Sequence, residues 1–142
     1  MKDYYEHLWE ELPEDLHPPE LELRTRLLQS EVRPGDRVLD LGCGSGTFTA
    51  VAAAAGAASV IGAEVAAAAL LRARTAHPEL DFRLVPIDGP LPLEDAGADL
   101  VWCSEVIEHI ADTRIWAASG PPLFRRTLFA RAVRARVGVK RP

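Results

Sequence analysis

The chain has 142 residues, 48% of them apolar, and a net charge of −5, which suits a single domain with a buried core. No apolar run approaches the ~20 residues of a membrane-spanning helix, and the acidic, aromatic start at Met1–Glu11 is unlike a secretory leader. The two cysteines argue against a disulfide framework and point to a reducing, cytoplasmic setting.

The charge is spread unevenly. Residues 1–113 carry all 21 acidic groups and 8 basic ones, whereas residues 114–142 carry 8 basic groups and no acidic one, an unusual switch for one small chain. In chain order, Tyr4, Tyr5, Leu8 and Trp9 recur at near-helical spacing and predict an amphipathic helix. Pro13, Pro18 and Pro19 interrupt it. Glu20 to Glu31, with Leu21, Leu23, Leu27 and Leu28, predicts a second helix. These two helices either cover one face of a sheet or also shape a substrate side.

Pro34-Gly35-Asp36 is a turn, and Arg37 to Leu41 reads as a buried parallel strand broken only by Asp40. The run Val38-Leu39-Asp40-Leu41-Gly42-Cys43-Gly44-Ser45-Gly46-Thr47-Phe48 then places a strand, a loop of three alternate glycines and an Ala-rich helix in succession. Glycines let a ligand approach the backbone, and a helix N-terminus behind them favours negative charge. A Gly-rich turn without a ligand is the plainer alternative. Cys43 reads as a small side chain that fits the loop rather than as a nucleophile, because no base stands beside it in sequence.

The second strand, Ser59 to Ala63, ends at Glu64-Val65. A carboxylate about 20 residues past a glycine loop lies where a ribose would lie; a solvated strand-end glutamate is the alternative. The helix Ala66–Ala76 follows without a Ser or Asp N-cap, so its start is expected to fray. Leu80 to Ile87 predicts a third strand, closed by Asp88-Gly89, which is also an ordinary turn signal. Ala98 to Cys103 predicts a fourth, followed by Ser104-Glu105-Val106-Ile107-Glu108-His109-Ile110.

The glycine spacing, G-x-G-x-G with Asp40 two residues ahead, differs from the dinucleotide pattern G-x-G-x-x-G. It resembles motif I of the class I S-adenosylmethionine-dependent methyltransferases. Leu91-Pro92, Ala98-Asp99, Val101 and the Glu105…Glu108-His109 run are similar to the small-molecule methyltransferases of ubiquinone and menaquinone biosynthesis. The resemblance covers residues 36–112. It implies an α/β fold, a three-layer Rossmann-like doubly wound parallel sheet of strand order 3-2-1-4, here incomplete. It also implies S-adenosyl-L-methionine as cofactor, with Asp40, Gly42, Cys43, Gly44 and Gly46 forming its cradle. Glu64 and Val65 would stand at the ribose, Asp88 and Gly89 at the adenine, and Ser104 and Glu105 at the methionine part. His109 would face a small-molecule methyl acceptor, either as a general base or as a structural helix residue.

Glu105, Glu108 and His109 share a helix face at i, i+3 and i+4 and could hold a divalent ion, as in the similar RNA 3′-terminal 2′-O-methyltransferases. Those enzymes take a further histidine downstream. None follows His109, so no metal is expected. The chain thus divides into a helical cap (1–35), a cofactor-binding core (36–112) and a basic, divergent tail (113–142). The tail lacks the Gly-Gly turn and fifth strand of the family, which suggests a truncated or frameshifted reading of a longer enzyme. On that expectation the fourth strand is an edge open to self-association, and the chain alone turns over slowly or not at all. Binding of nucleic acid through the tail is the less favoured alternative.

Overall fold

The computed structural model describes residues 2–87 and 97–104. The elements run α1 (Lys2–Glu11), α2 (Leu21–Glu31), β1 (Arg37–Leu41), α3 (Thr47–Ala54), β2 (Ser59–Glu64), α4 (Ala67–Ala76), β3 (Asp81–Leu84) and β4 (Leu100–Cys103). The four strands form one parallel sheet in the order β3-β2-β1-β4. This is the expected Rossmann-like α/β arrangement, with the first strand central and the chain order reversing beside it. Ligands of open parallel sheets bind at the carboxyl edge, where that reversal opens a crevice.

Alternation along the strands sorts the side chains between two faces. On one face Val38, Val60, Leu100 and Trp102 pack with Leu28 of α2, Val32, and Phe48 and Ala52 of α3. Trp102 is fully buried, and its ring lies 5.5 Å from that of Phe48. Phe82 of β3 continues this packing, meeting Leu70 and Ala73 of α4 and the Cys43 side chain. On the opposite face Leu39, Ala63 and Val85 gather with Leu41, Ile61 and Val101. Among the described residues no helix contributes to that second cluster, so the helical layer described here is the one formed by α2, α3 and α4.

Several boundaries shift from the sequence-based expectation by one to three residues, and three differences have a clear physical reason. β3 ends at Leu84 rather than Ile87. The Val85 amide still donates to the Glu64 carbonyl at 2.8 Å, but Pro86 has no N–H with which to extend the ladder. β4 begins at Leu100 rather than Ala98. The Asp99 carboxylate is turned to Arg37, accepting from its backbone amide and its guanidinium at 2.9 Å. The start of α4, expected to fray, is instead capped from a distance, as described below. β4 is an edge strand among the described residues, yet Leu100 and Trp102 are both fully buried on the helix face. None of the described helices is long and apolar enough to cross a membrane.

Candidate functional site

The carboxyl ends of β1, β2 and β4 bring the glycine loop, Glu64 and Ser104 to one edge of the sheet. The loop is held from both sides. The Gly42 and Cys43 amides donate to the Ala63 carbonyl at 2.8 and 3.1 Å, and the Gly46 amide returns to the Cys43 carbonyl at 2.9 Å. Gly42, Gly44 and Gly46 all have left-handed φ, at 73°, 53° and 84°, a region that side-chain-bearing residues rarely enter.

The space freed by two of these glycines is filled by the protein itself. A Cβ on Gly44 would stand 2.8 Å from Cζ2 of Trp9, and one on Gly46 would stand 2.7 Å from Cζ of Phe82. Their missing side chains therefore admit an indole from α1 and a phenyl ring from β3, where the sequence suggested room for a ligand. The Cys43 thiol faces the Leu70–Ala73–Phe82 cluster. Burial, and the nearby Asp40 and Glu64 carboxylates, push its pKa well above the usual thiol range. It stays a thiol rather than a thiolate, which leaves it inert as a nucleophile.

Asp40 is 2% exposed and accepts a hydrogen bond from the Thr49 hydroxyl at 2.7 Å. This bond ties the end of β1 to the first turns of α3 and so closes the glycine loop over its own ends. Burial raises the Asp40 pKa to about 7; hydrogen bonds from Thr49 oppose the rise and the Glu64 charge adds to it.

Glu64, 7% exposed, is the most heavily engaged side chain of the site. Its Oε2 accepts the Gly44 amide at 3.0 Å, and its Oε1 accepts the Val65 and Ala66 amides at 2.7 and 3.1 Å. An ionised carboxylate offers about four lone-pair positions. Among the described residues three are filled, so one direction on Oε2 remains there for a further donor. Both hydroxyls of a ribose could be accepted only if one amide were released. Val65 contributes its amide to this carboxylate rather than its side chain.

A residue that the sequence reading missed completes the edge. Arg24 of α2 is 4% exposed, and its Nη1 donates to Ser104 Oγ at 2.9 Å. This places a buried guanidinium beside the first residue after β4. The signal was present in the sequence: Leu21, Arg24 and Leu28 lie at i, i+3 and i+7, on the apolar stripe of α2. A charge on a buried stripe marks either a paired structural cation or a binding group. Asp88, Gly89, Glu105, Glu108 and His109, and the basic tail, lie outside the described residues. No cluster with metal-ligand character is present among the described ones.

The family described as a methyltransferase domain matches residues 38–119. A ubiquinone biosynthesis O-methyltransferase of Bordetella avium is 41% identical over 83 residues, which are 55% of this chain and 34% of that protein. The protein of the same name from Hahella chejuensis is 37% identical over 83 residues, again 34% of its length. The chain thus spans about a third of the curated relatives it matches. Among solved structures, an S-adenosylmethionine-dependent methyltransferase from Mesorhizobium loti superposes with a TM-score of 0.56 at 32% identity, covering 66% of this chain and 43% of that one.

Proposed function

Because the chain belongs to the methyltransferase domain family, with class I S-adenosylmethionine-dependent enzymes as its kin, we propose that it binds S-adenosylmethionine along the carboxyl edge of the sheet and passes the methyl group to a small-molecule acceptor. The observation that carries this reading is Glu64. Its carboxylate is buried, fastened to the glycine loop through the Gly44 amide, and has one acceptor direction left. A nucleoside hydroxyl is the donor that such a group suits.

The other residues fit a nucleoside attached to an amino acid. The Trp9 indole over Gly44 supplies an aromatic surface beside the ribose position. The Arg24 guanidinium at Ser104 supplies a cation where the methionine carboxylate would lie, and Arg pairs with carboxylates in a two-pronged fashion. When bound, the cofactor supplies a sulfonium leaving group, so that an acceptor oxygen aligned with the methyl carbon and sulfur needs little further activation. The work of the chain is then to hold and orient. Asp40 keeps the loop closed, Glu64 fixes the sugar, and Arg24 with Ser104 fixes the opposite end. We place Asp88 and Gly89 at the adenine, Glu105 beside the methionine part and His109 at the acceptor.

The relatives are named for O-methylation in ubiquinone biosynthesis, so we take the acceptor to be a hydroxyl on a small, ring-bearing molecule. Incubating the chain with methyl-labelled S-adenosylmethionine and a panel of phenols, quinols and short RNAs tests this. Label is expected on a phenol or quinol, at a slow rate. Label confined to RNA would move the acceptor to nucleic acid. Tight cofactor binding with transfer to none of them would make the chain a cofactor-binding module.

A further inference from the structure

Consecutive amides at the start of α4 are divided between two carboxylates. Those of Val65 and Ala66 donate to Glu64, while those of Ala67 and Ala68 donate to Oε1 and Oε2 of Glu6, at 2.7 and 2.9 Å. Glu6 lies on α1, about sixty positions upstream. A helix start leaves its first amides without partners inside the helix. Here one glutamate from the strand before it and one from a remote helix satisfy them. The α4 N-cap, Ala66, has no side chain able to do so.

The rest of α1 is held in the same directional way. No residue of α1 is fully buried, though Tyr5, Leu8 and Trp9 are half-buried, so polar contacts share in its seat. Arg72 of α4 donates to the Leu12 and Pro13 carbonyls just beyond α1, at 2.7 and 3.2 Å, and its guanidinium stands 5.9 Å from the Trp9 ring centroid. Trp9 in turn rests against Gly44, whose amide is the third one that Glu64 holds. Glu6, the α4 start, Glu64, Gly44 and Trp9 therefore form a closed circuit. The circuit passes through both α1 and the candidate ribose carboxylate.

We propose that Glu6 is a positioning residue for the cofactor: by capping α4 and seating Trp9 on the glycine loop, it makes the docking of α1 and the binding of the nucleoside mutually dependent. The inference rests on the assignment of Glu64 to the ribose. Without Glu6 the Ala67 and Ala68 amides open, and the neighbouring Val65 and Ala66 amides no longer hold Oε1 in one place. The free direction on Oε2 is then no longer aimed. Thermodynamic reciprocity requires the converse as well: a ligand that engages Glu64 and packs beside Trp9 tightens the seat of α1. A helix with no fully buried residue, fastened by a few exposed or partly buried polar contacts, belongs to the low-stability end of a fold, where such coupling has something to act on.

The test is to titrate the wild-type chain, Glu6→Ala and Glu64→Ala with S-adenosylhomocysteine, and to follow amide hydrogen exchange over residues 2–11 with and without it. Since no residue of α1 is buried, Glu6→Ala leaves the core intact. It is expected to bind about tenfold more weakly, within the usual range of site-to-site coupling. In the wild type the amides of α1 are expected to exchange several-fold more slowly when the ligand is present, and Glu6→Ala is expected to lose that protection. Wild-type affinity in Glu6→Ala alongside weakened binding in Glu64→Ala would overturn the role of Glu6 and leave the ribose assignment standing. Ligand-independent exchange of α1 would overturn it too. Wild-type affinity in Glu64→Ala would instead remove the ribose assignment, and the proposal with it.

Discussion

Glu64→Ala is expected to lose S-adenosylhomocysteine affinity and fold stability together. The carboxylate accepts three amides while 7% exposed. Hydrogen bonds to a charged group contribute ~1.5–3 kcal/mol each, and a buried donor left without a partner costs ~1–3 kcal/mol. The Val65 amide is only partly buried, and water can reach it once the side chain is gone. The Gly44 and Ala66 amides, each buried together with its acceptor, have no such replacement. The expected loss of stability is therefore at least ~1–3 kcal/mol, read as a drop in the urea midpoint. Affinity should fall roughly tenfold to a hundredfold, the equivalent of one charge-assisted bond. Glu64→Gln separates charge from volume. It keeps the shape but offers one oxygen to three donors and points an amide N–H at another N–H. If Gln behaves like the wild type, the carboxylate only fills space and the ribose assignment fails.

Asp40→Asn is expected to gain stability over the wild type above neutral pH. Burial lifts the Asp40 pKa from an ordinary 3.8 to about 7. Between those values the folded chain holds a proton that the unfolded chain has released. Protonation of Asp40 thus contributes stability that is fully present below about pH 4 and is lost as pH rises through about 7. Above that the wild type carries a buried charge, which Asn avoids while keeping the shape and a partner for Thr49. The variant should be more stable at pH 8 by up to roughly 4 kcal/mol, with the gap closing towards pH 4. Parallel stability profiles for the two proteins would show that Asp40 ionises as freely as an exposed carboxylate.

Much of this edge was legible in the sequence because its signals are local. The apolar run Val38–Leu41, the alternate glycines and the acidic end of the second strand lie within 27 residues of one another. β1 spans Arg37–Leu41, as its hydrophobic pattern dictates, and the strand order follows from the family resemblance. What stayed hidden is what the tertiary fold brings from afar. No local pattern says that the uncapped α4 receives its acceptor from Glu6 on the first helix. Nor does one say that Gly44 is glycine partly because Trp9 lies on it, and Gly46 because Phe82 does. Arg24 falls between these cases. Its place on the apolar stripe of α2 was readable, but its partner Ser104, 80 positions away, was not.

The edge formed by the glycine loop and Glu64 is expected to accept a nucleoside linked to methionine, not a dinucleotide. Isothermal titration of the chain with S-adenosylhomocysteine, and separately with NAD, addresses it most directly. S-adenosylhomocysteine is expected to bind saturably at one site per chain, and NAD to give no measurable heat. Saturable binding of NAD with none of S-adenosylhomocysteine would contradict it.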